Sequence, residues 1–378
     1  MATCNEIPED VVIEILLRLP VKSLIRYRVV CKNWYSIIKN PSFVTKHLNH
    51  HRANSGSLFV KRFDKITDKY VFSLYPDQTL AGSPLLCEDV VVNMSNNLQI
   101  SACNGILCLH NCIHHHRCFA LWNPATREFR SVPVLPRNFP PNVVNNLEAF
   151  GFGFDPITND YKLVWMWNTL EFIRETRYGP YKAAVYTLST DSWRYLDVAL
   201  PYSTIHTPQS NTFINGVYHW FCLRAGDQHR VILSFDMGNE LFHEIRDIPS
   251  SDYGYYADLA PYDNSLALIY SESGPFVEIW VMMEEGCWTK HLTVELLLKH
   301  KSPLGFWKNG QLIVETVCDG HVGLYDPETR EITDLVGSQF WVEFLIYKES
   351  LVAVRSRDGF LQQNQLSDVE QVLNLGSI

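Results

Sequence analysis

Ile7-Pro-Glu-Asp-Val-Val-Ile-Glu-Ile-Leu-Leu-Arg-Leu-Pro20, continued by Val21-Lys-Ser-Leu-Ile-Arg-Tyr-Arg-Val-Val-Cys-Lys-Asn-Trp-Tyr-Ser-Ile-Ile38, packs a great deal of apolar surface into very little chain. Val12, Ile15, Leu16 and Leu19 fall on one helical face, while Glu9, Asp10, Glu14 and Arg18 take other positions, so the first part reads as an amphipathic helix. Pro8 suits its first turn and Glu9 and Asp10 suit its positive end, while Pro20 disfavours helix at Leu19 and marks the stop. Val21 to Tyr27 makes a second short helix, and Val30, Trp34, Ile37 and Ile38 recur at the spacing of a third. Asn40-Pro41 restarts the chain, with Phe43, Val44 and Leu48 on a fourth turn or two. A segment of about 40 residues does not ordinarily close a hydrophobic core alone. Some of Leu16, Leu19, Leu24, Trp34 and Ile37 are therefore expected to face a partner.

The chain has 378 residues, which fits a short module plus one large domain. Residues 1–48 carry seven Lys/Arg against four Asp/Glu, net +3, so with a chain total of −9 the remaining 330 residues carry −12. An acidic second part argues against nucleic acid, whose phosphates call for a basic face, and favours a basic protein target. Met1 to Ile7 shows no secretory signal, and no stretch approaches the roughly 18 apolar residues of a membrane helix. The ten cysteines are scattered singly, which reads as reduced thiols in the cytoplasm or nucleus.

Asn49-His-His-Arg-Ala-Asn-Ser-Gly-Ser57 is polar and turn-rich, a linker over residues 49–57 between a module at 1–48 and a domain at 58–378. From Leu58 onward, short apolar and aromatic runs are bounded by Asn, Asp, Gly and Pro, the signals of β-strands. Two phrases recur. A turn leading into an apolar strand appears at Asn104-Gly105, Asn215-Gly216, Asp263-Asn264 and Asn309-Gly310. A strand end, an Asp- or Asn-containing turn and a returning strand appear at Trp122-Asn-Pro-Ala-Thr-Arg127, Tyr186-Thr-Leu-Ser-Thr-Asp191, Phe235-Asp-Met-Gly-Asn-Glu240 and Tyr325-Asp-Pro-Glu-Thr-Arg330, with a looser copy at Ile279–Trp288. From Asn215 the first phrase is spaced by just under 50 residues, in the range of propeller blades. Six or seven blades fit; six is preferred, with the strands before residue 102 completing a blade begun at the C-terminus. Two face-packed sheets are the alternative. The longer interval from Trp122 to Tyr186 suggests insertions at Arg137–Leu147 and Asn168–Lys182.

Pro8, Leu16, Leu19-Pro20, Lys22-Ser23-Leu24, Arg26, Cys31-Lys32, Trp34 and Phe43 reproduce in order and spacing the pattern of the F-box, and the module resembles that family. The resemblance implies a three-helix F-box that docks on a Skp-type adaptor and, through it, on the cullin and RING subunits of a ubiquitin ligase. Pro8, Leu16, Leu19, Pro20, Leu24, Cys31, Trp34 and Ile37 would be its adaptor-binding residues. Asn123-Pro-Ala-Thr-Arg127, Gly151-Phe-Gly-Phe-Asp155, Asp160-Tyr-Lys162, Ser189-Thr-Asp-Ser-Trp193, His219-Trp220, Ser234-Phe-Asp236 and Ile279-Trp-Val-Met-Met283 resemble the F-box-associated, kelch-like domain of plant F-box proteins, closest to the S-locus F-box type. The resemblance implies a receptor that holds a protein for ubiquitination and proteasomal degradation, in pollen self-incompatibility a basic pistil ribonuclease. The expected fold is therefore α+β and multidomain, a small helical F-box followed by an all-β propeller-like domain.

Cys103, Cys108, His110, Cys112, His114, His115, His116 and Cys118 have a metal-like composition but none of the paired short spacings of zinc sites. They read as strands flanking a polar hairpin tip at His114–His116, so no cofactor or metal is expected. Gly151-Phe-Gly-Phe lacks the third glycine and the helix of a dinucleotide fingerprint, and no Gly-x-x-x-x-Gly-Lys-Ser/Thr, Gly-x-Ser-x-Gly or His-Glu-x-x-His occurs. The chain therefore reads as a non-catalytic receptor. The alternative is a propeller that binds glycans or performs chemistry through its central loops and uses the F-box only for attachment. For target contact the Tyr-rich loop Ser250–Asp258 stands out: Asp252, Tyr253, Tyr255, Tyr256 and Asp258 combine amphipathic rings with negative charge. Glu171, Tyr178 and Tyr181 are a second candidate group.

Overall fold

The computed structural model describes residues 7–50, 56–64, 69–75, 86–90, 98–113, 116–135, 143–171, 180–208, 210–249, 256–271, 276–295, 300–316, 322–336 and 342–354. Four helices come first: α1 (Glu9–Leu17), α2 (Val21–Tyr27), α3 (Lys32–Lys39) and α4 (Pro41–His50). The expected fourth turn is a full ten-residue helix running two residues past 48. Asn40 starts it, with Oδ1 accepting from the Ser42 N–H at 2.9 Å. Leu16, Leu17, Val21, Leu24, Ile37, Ile38 and Phe43 form the module's core. His47, also buried, donates through Nε2 to the Leu19 carbonyl at 2.8 Å. Two residues of α1 depart from the expected face: Leu17 lies inside, and Ile15 is 51 % exposed. The helix is apolar at positions 11–13 and 15–17, so two stripes compete for the interior, and the 12/13/16/17 stripe takes it.

The strands form six antiparallel sheets. The first three are β1 (Ser57–Asp64), β2 (Lys69–Tyr75), β3 (Leu86–Val90); then β4 (Gln99–Cys103), β5 (Ile106–Ile113), β6 (His116–Asn123), β7 (Glu128–Ser131); then β8 (Val143–Asp155), β9 (Asp160–Glu171), β10 (Tyr181–Thr187), β11 (Ser192–Leu200). The next are β12 (Tyr202–His206), β13 (Phe213–Ile214), β14 (Val217–Arg224), β15 (Arg230–Asp236), β16 (Leu241–Ile245); then β17 (Tyr256–Tyr262), β18 (Ser265–Ser271), β19 (Phe276–Glu284), β20 (Cys287–Glu295); then β21 (His300–Phe306), β22 (Leu312–Thr316), β23 (Val322–Tyr325), β24 (Ile332–Val336). A last strand, β25 (Val342–Tyr347), returns to the first sheet and pairs with β1 from Ser57↔Tyr347 to Arg62↔Val342. The result is a six-bladed β-propeller whose first blade is completed from the C-terminus, as the repeat spacing suggested.

What holds the ring together is apolar surface between neighbouring blades. Phe59, Phe72 and Leu74 of the first blade meet Leu107 and Trp122 of the second; Phe119 and Leu121 of the second meet Phe150 and Trp165 of the third; Val164 and Val185 of the third meet Trp220 and Phe235 of the fourth. Further clusters join the fourth blade to the fifth, the fifth to the sixth and the sixth to the first. Middle strands such as β14 and β15 are buried along most of their length, and outer β11 alternates towards solvent. Gly151 and Gly153 serve this packing rather than a nucleotide: a Cβ at Gly151 would stand 2.6 Å from Trp220 Cζ2, and one at Gly153 would stand 2.5 Å from Phe213 Cε2.

The second sequence phrase occupies equivalent hairpins, each joining the third to the fourth strand of a blade. In these turns Asn123, Asp236 and Asp326 accept through Oδ1 from the N–H groups two and three residues on, and the fourth residue on (Arg127, Glu240, Arg330) has a positive φ. Asp155 does the same between β8 and β9, with Asn159 at φ 55°. Where the insertions expected in the third blade fall within the described residues they are mainly strand: β8 and β9 have 13 and 12 residues and pair out to Val143↔Glu171. Antiparallel order places first-to-second and third-to-fourth turns at one end of the ring, the turn face. The second-to-third connections and those between blades leave from the opposite, connection face.

Candidate functional site

The outer surface of the helical module is unusually apolar. Of the fourteen large apolar side chains exposed among the described residues, seven fall within residues 7–35: Ile7, Val11, Ile15, Tyr27, Val29, Val30 and Tyr35. Pro8, Val11 and Ile15 share a face of α1, and Val29 (88 % exposed) and Val30 sit in the turn before α3. A surface of this kind is unfavourable in water unless covered. The residues expected at a partner surface divide differently. Pro8, Pro20 and Cys31 are exposed; Leu19 and Trp34 are half-buried; Leu16, Leu24 and Ile37 are inside the module, where they hold its helices together. Cys31 also caps α3, its Sγ accepting from the Trp34 N–H at 3.5 Å, and the Trp34 ring meets Tyr27 edge-on at 5.6 Å.

The module stands on the turn face. Ala125, between β6 and β7, and Leu351, after β25, pack into its core. Between α4 and the ring lies a cavity of about 1,710 Å³, lined by Lys39, Val44 and Leu48 on one side and by Asn104, Asn159 and Asp263 on the other. The ring's axis is crossed by chain. Between β12 and β13, Ser210 Oγ donates to the Leu304 carbonyl of the sixth blade at 2.5 Å. Asn211 Oδ1 accepts from Ser101 Oγ of the second blade at 2.9 Å, and Asn211 also lines a small cavity with Phe59 and Phe344 of the first. This segment of the fourth blade thus reaches the second and sixth blades across the ring's axis, and Ser210 and Asn211 also line the large cavity.

Against known proteins, the F-box associated beta propeller domain matches residues 57–336, and the F-box domain matches residues 4–46. The chain belongs to the F-box proteins with an associated β-propeller. It is 24% identical to F-box protein At5g10340 of Arabidopsis thaliana, over 92% of this chain and 84% of that one. It is 27% identical to the putative F-box/kelch-repeat protein At1g13200 of the same plant, over 92% and 90%. Among solved structures, a chain of the nidogen/laminin complex superposes with a TM-score of 0.45 at 9% identity, over 79% of this chain and 100% of that chain.

In this F-box protein the described candidate target residues, Tyr256, Asp258, Glu171 and Tyr181, fall at the connection face. Asp252, Tyr253, Tyr255 and Tyr178 lie outside the described residues. Tyr256 and Asp258 are not in a loop: both belong to β17, paired with β18, and Asp258 Oδ1 accepts from the Leu259 N–H at 2.8 Å. The strand begins earlier than the run of polar and aromatic residues suggests, because Tyr256↔Ser271 extends the ladder. Glu171 ends β9, and Tyr181 is fully buried, its hydroxyl accepting from the Ile205 N–H at 3.3 Å, so it offers no surface. Sequence reading missed a charge cluster at the same face of the fourth blade. Arg224 Nη2 donates to Glu244 Oε1, which also accepts from Arg246 Nε at 2.7 Å, while Tyr202 donates to Glu244 Oε2 at 2.8 Å. Burial by itself would raise the Glu244 carboxyl, but the bonds from Arg224, Tyr202 and Arg246 outweigh it and hold its pKa below the ordinary value.

The cysteine- and histidine-rich stretch is strand. Cys103 and Cys108 are buried, and burial pushes the Cys108 thiol well up, which keeps it protonated. His110 stacks on Phe119 at 4.5 Å, with Nε2 at 3.8 Å from Glu148 Oε2. β5 ends at Ile113 and β6 begins at His116; residues 114 and 115 lie outside the described residues. Among the described residues no three His, Cys, Asp or Glu side chains could hold a metal ion together, and no helix is long and apolar enough to cross a membrane.

Proposed function

We propose that this chain is the target receptor of a Skp–cullin–F-box ubiquitin ligase, working in the cytoplasm or nucleus by positioning rather than by catalysis. The observation that carries it is the seven-residue apolar surface on a module matched by the F-box domain. The adaptor would cover Ile7, Pro8, Val11 and Ile15 together with Val29 and Val30, while Leu16, Leu24 and Ile37 act from inside by fixing the helices that present them. A receptor of this kind raises the effective concentration of target lysines near an activated ubiquitin carried by another subunit. The target would meet the connection face, because the module occupies the turn face and Ser210 and Asn211 cross the channel. Asp252, Tyr253 and Tyr255 are the proposed contacts in the connection from β16 to β17. The net −12 outside the first 48 residues favours a basic target, and with the S-locus resemblance this supports a basic pistil ribonuclease, for which opposite charge would speed encounter.

The test is co-purification of the full chain with a Skp-type adaptor. Val11→Asp combined with Ile15→Asp should abolish it, and Leu241→Asp on the propeller should leave it intact. Undiminished capture by the folded double variant overturns the adaptor reading. For the target, on-rates measured with a panel of basic ribonucleases at two salt concentrations should fall as salt rises. Binding to none of them removes the ribonuclease and leaves the adaptor reading standing.

A further inference from the structure

After β25 the chain stays on the ring and crosses the turn face as an extended strap through Val354. Its backbone is held from the second blade. Asn123 Nδ2 donates to the Ser350 carbonyl at 3.1 Å and to the Val352 carbonyl at 2.7 Å, Arg130 Nη1 donates to the Val354 carbonyl at 3.4 Å, and the Val354 N–H donates to Glu128 Oε2 at 3.0 Å. The fit at its start depends on a glycine: a Cβ at Gly105 would stand 2.5 Å from Ser350 Oγ and 2.6 Å from the Lys348 carbonyl. The side chains then part company. Val352 and Val354 pack with the core between the second and third blades, whereas Leu351, 3 % exposed, belongs to the core of the helical module.

Charge follows the same seam. Glu128, which accepts from Val354, also acts on Arg28 of the module, opposing the lowering of the guanidinium pKa by burial. Lys22 of α2 acts on Glu349 of the strap, opposing the rise that burial imposes on the carboxyl. The matched propeller range ends at residue 336, so the closing strand and the strap both lie beyond it.

We infer that residues 348–354 are a positioning strap, with Leu351 as its key: the segment that follows the ring-closing strand β25 is bonded to the second blade and enters the F-box core, so that module and propeller are held in one orientation. A module joined only through the polar stretch near residue 50 would sample many orientations, and the effective concentration of an acceptor lysine near ubiquitin falls as the linkage loosens. The functional consequence rests on the receptor reading above; the orientation itself does not.

The experiment measures single-molecule energy transfer on the full chain, free and with a Skp-type adaptor, between labels introduced at Lys46 on α4 and Asp197 on β11, both exposed. The unaltered chain should give one narrow peak. Leu351→Ser should lose it to a broad distribution, while Leu351→Met keeps it. Asn123→Asp cuts the strap from the ring side, since it keeps the turn-capping oxygen and removes both donors to the strap; it should broaden the peak as Leu351→Ser does, and it decides the matter if the Leu351 variant does not fold. In a reconstituted ligase, the unaltered chain should modify a restricted set of its own propeller lysines, and the strap variants should spread modification to others. A peak that stays narrow in folded Leu351→Ser, or in Asn123→Asp where only that variant folds, overturns the proposal. Loss of adaptor binding by the unaltered chain would instead overturn the receptor reading and leave the energy-transfer result to decide the strap.

Discussion

Lys162→Met should be among the most destabilising single changes in the propeller. Lys162 Nζ lies 2.6 Å from Asp155 Oδ2, 2.8 Å from Glu240 Oε1 and 2.8 Å from the Met237 carbonyl, so its three donors tie the third blade to the fourth. Its side chain is 6 % exposed and that of Asp155 is fully buried. Methionine fills similar space but strands a buried carboxylate, and removing one partner of a buried pair costs about 3–5 kcal/mol. Asp155 keeps bonds from the Ile157 and Thr158 N–H groups and the Thr158 hydroxyl, and Glu240 keeps Arg194. The expected loss is therefore at the lower end, about 3 kcal/mol, a large part of a typical stability of about 5–15 kcal/mol. Urea unfolding followed by tryptophan fluorescence reads it well, since Trp165, Trp167 and Trp220 are buried in these two blades. Adding Asp155→Asn to Lys162→Met removes the stranded charge and should recover part of the loss. A single variant that loses less than about 1 kcal/mol, the range of a solvated surface pair, would show that Lys162 does not act as a buried tie between the blades.

Gly151→Ala forces a Cβ to within 2.6 Å of Trp220 Cζ2 and 2.7 Å of Tyr218 Cγ, both rings buried, and should cost about 1–3 kcal/mol by overpacking. An unchanged melting temperature would contradict the blade-to-blade packing. Asp155, Asp236 and Asp326 all have lowered pKa values: burial raises the first two, but Lys162 and turn hydrogen bonds outweigh it at Asp155 and the Asn239 and Gly238 bonds outweigh it at Asp236, while the Glu328 N–H is the main cause at Asp326. A lowered carboxylate stabilises the fold above its unfolded value of about 3.9 and loses that contribution as pH falls through the lower folded value. The urea midpoint should therefore hold from pH 7 to about 5 and decline steeply below about 4; a midpoint level down to pH 3 would remove the turn carboxylates from the account.

Much of the ring was legible because its turns are chemically specific. Asn104-Gly105 and Asn215-Gly216 supply two consecutive positive φ values, and Asn123, Asp236 and Asp326 each cap a turn closing at a left-handed residue. Local chemistry of that kind shows through sequence whatever the surroundings. The inside of α1 was less legible: Ile15 and Leu17 are equally apolar, and packing against the other helices decides which is buried. Tyr181 looked like surface for a related reason, since only Ile205 across the blade boundary reveals its buried hydroxyl contact. Neither the crossing segment at Ser210 and Asn211 nor the strap at Leu351 carries a periodic signal. Both lie outside helix and strand and are stabilised by bonds to residues about 90 to 230 positions away, which a local pattern does not encode.

The proposed adaptor-binding face is the outward apolar surface of the helical module. Hydrogen exchange on the full chain, alone and with a Skp-type adaptor, tests it most directly. New protection is expected over Ile7–Ile15 and Tyr27–Tyr35, with the propeller strands unchanged. No complex, or protection confined to the propeller with the module exchanging as in the free chain, would contradict it.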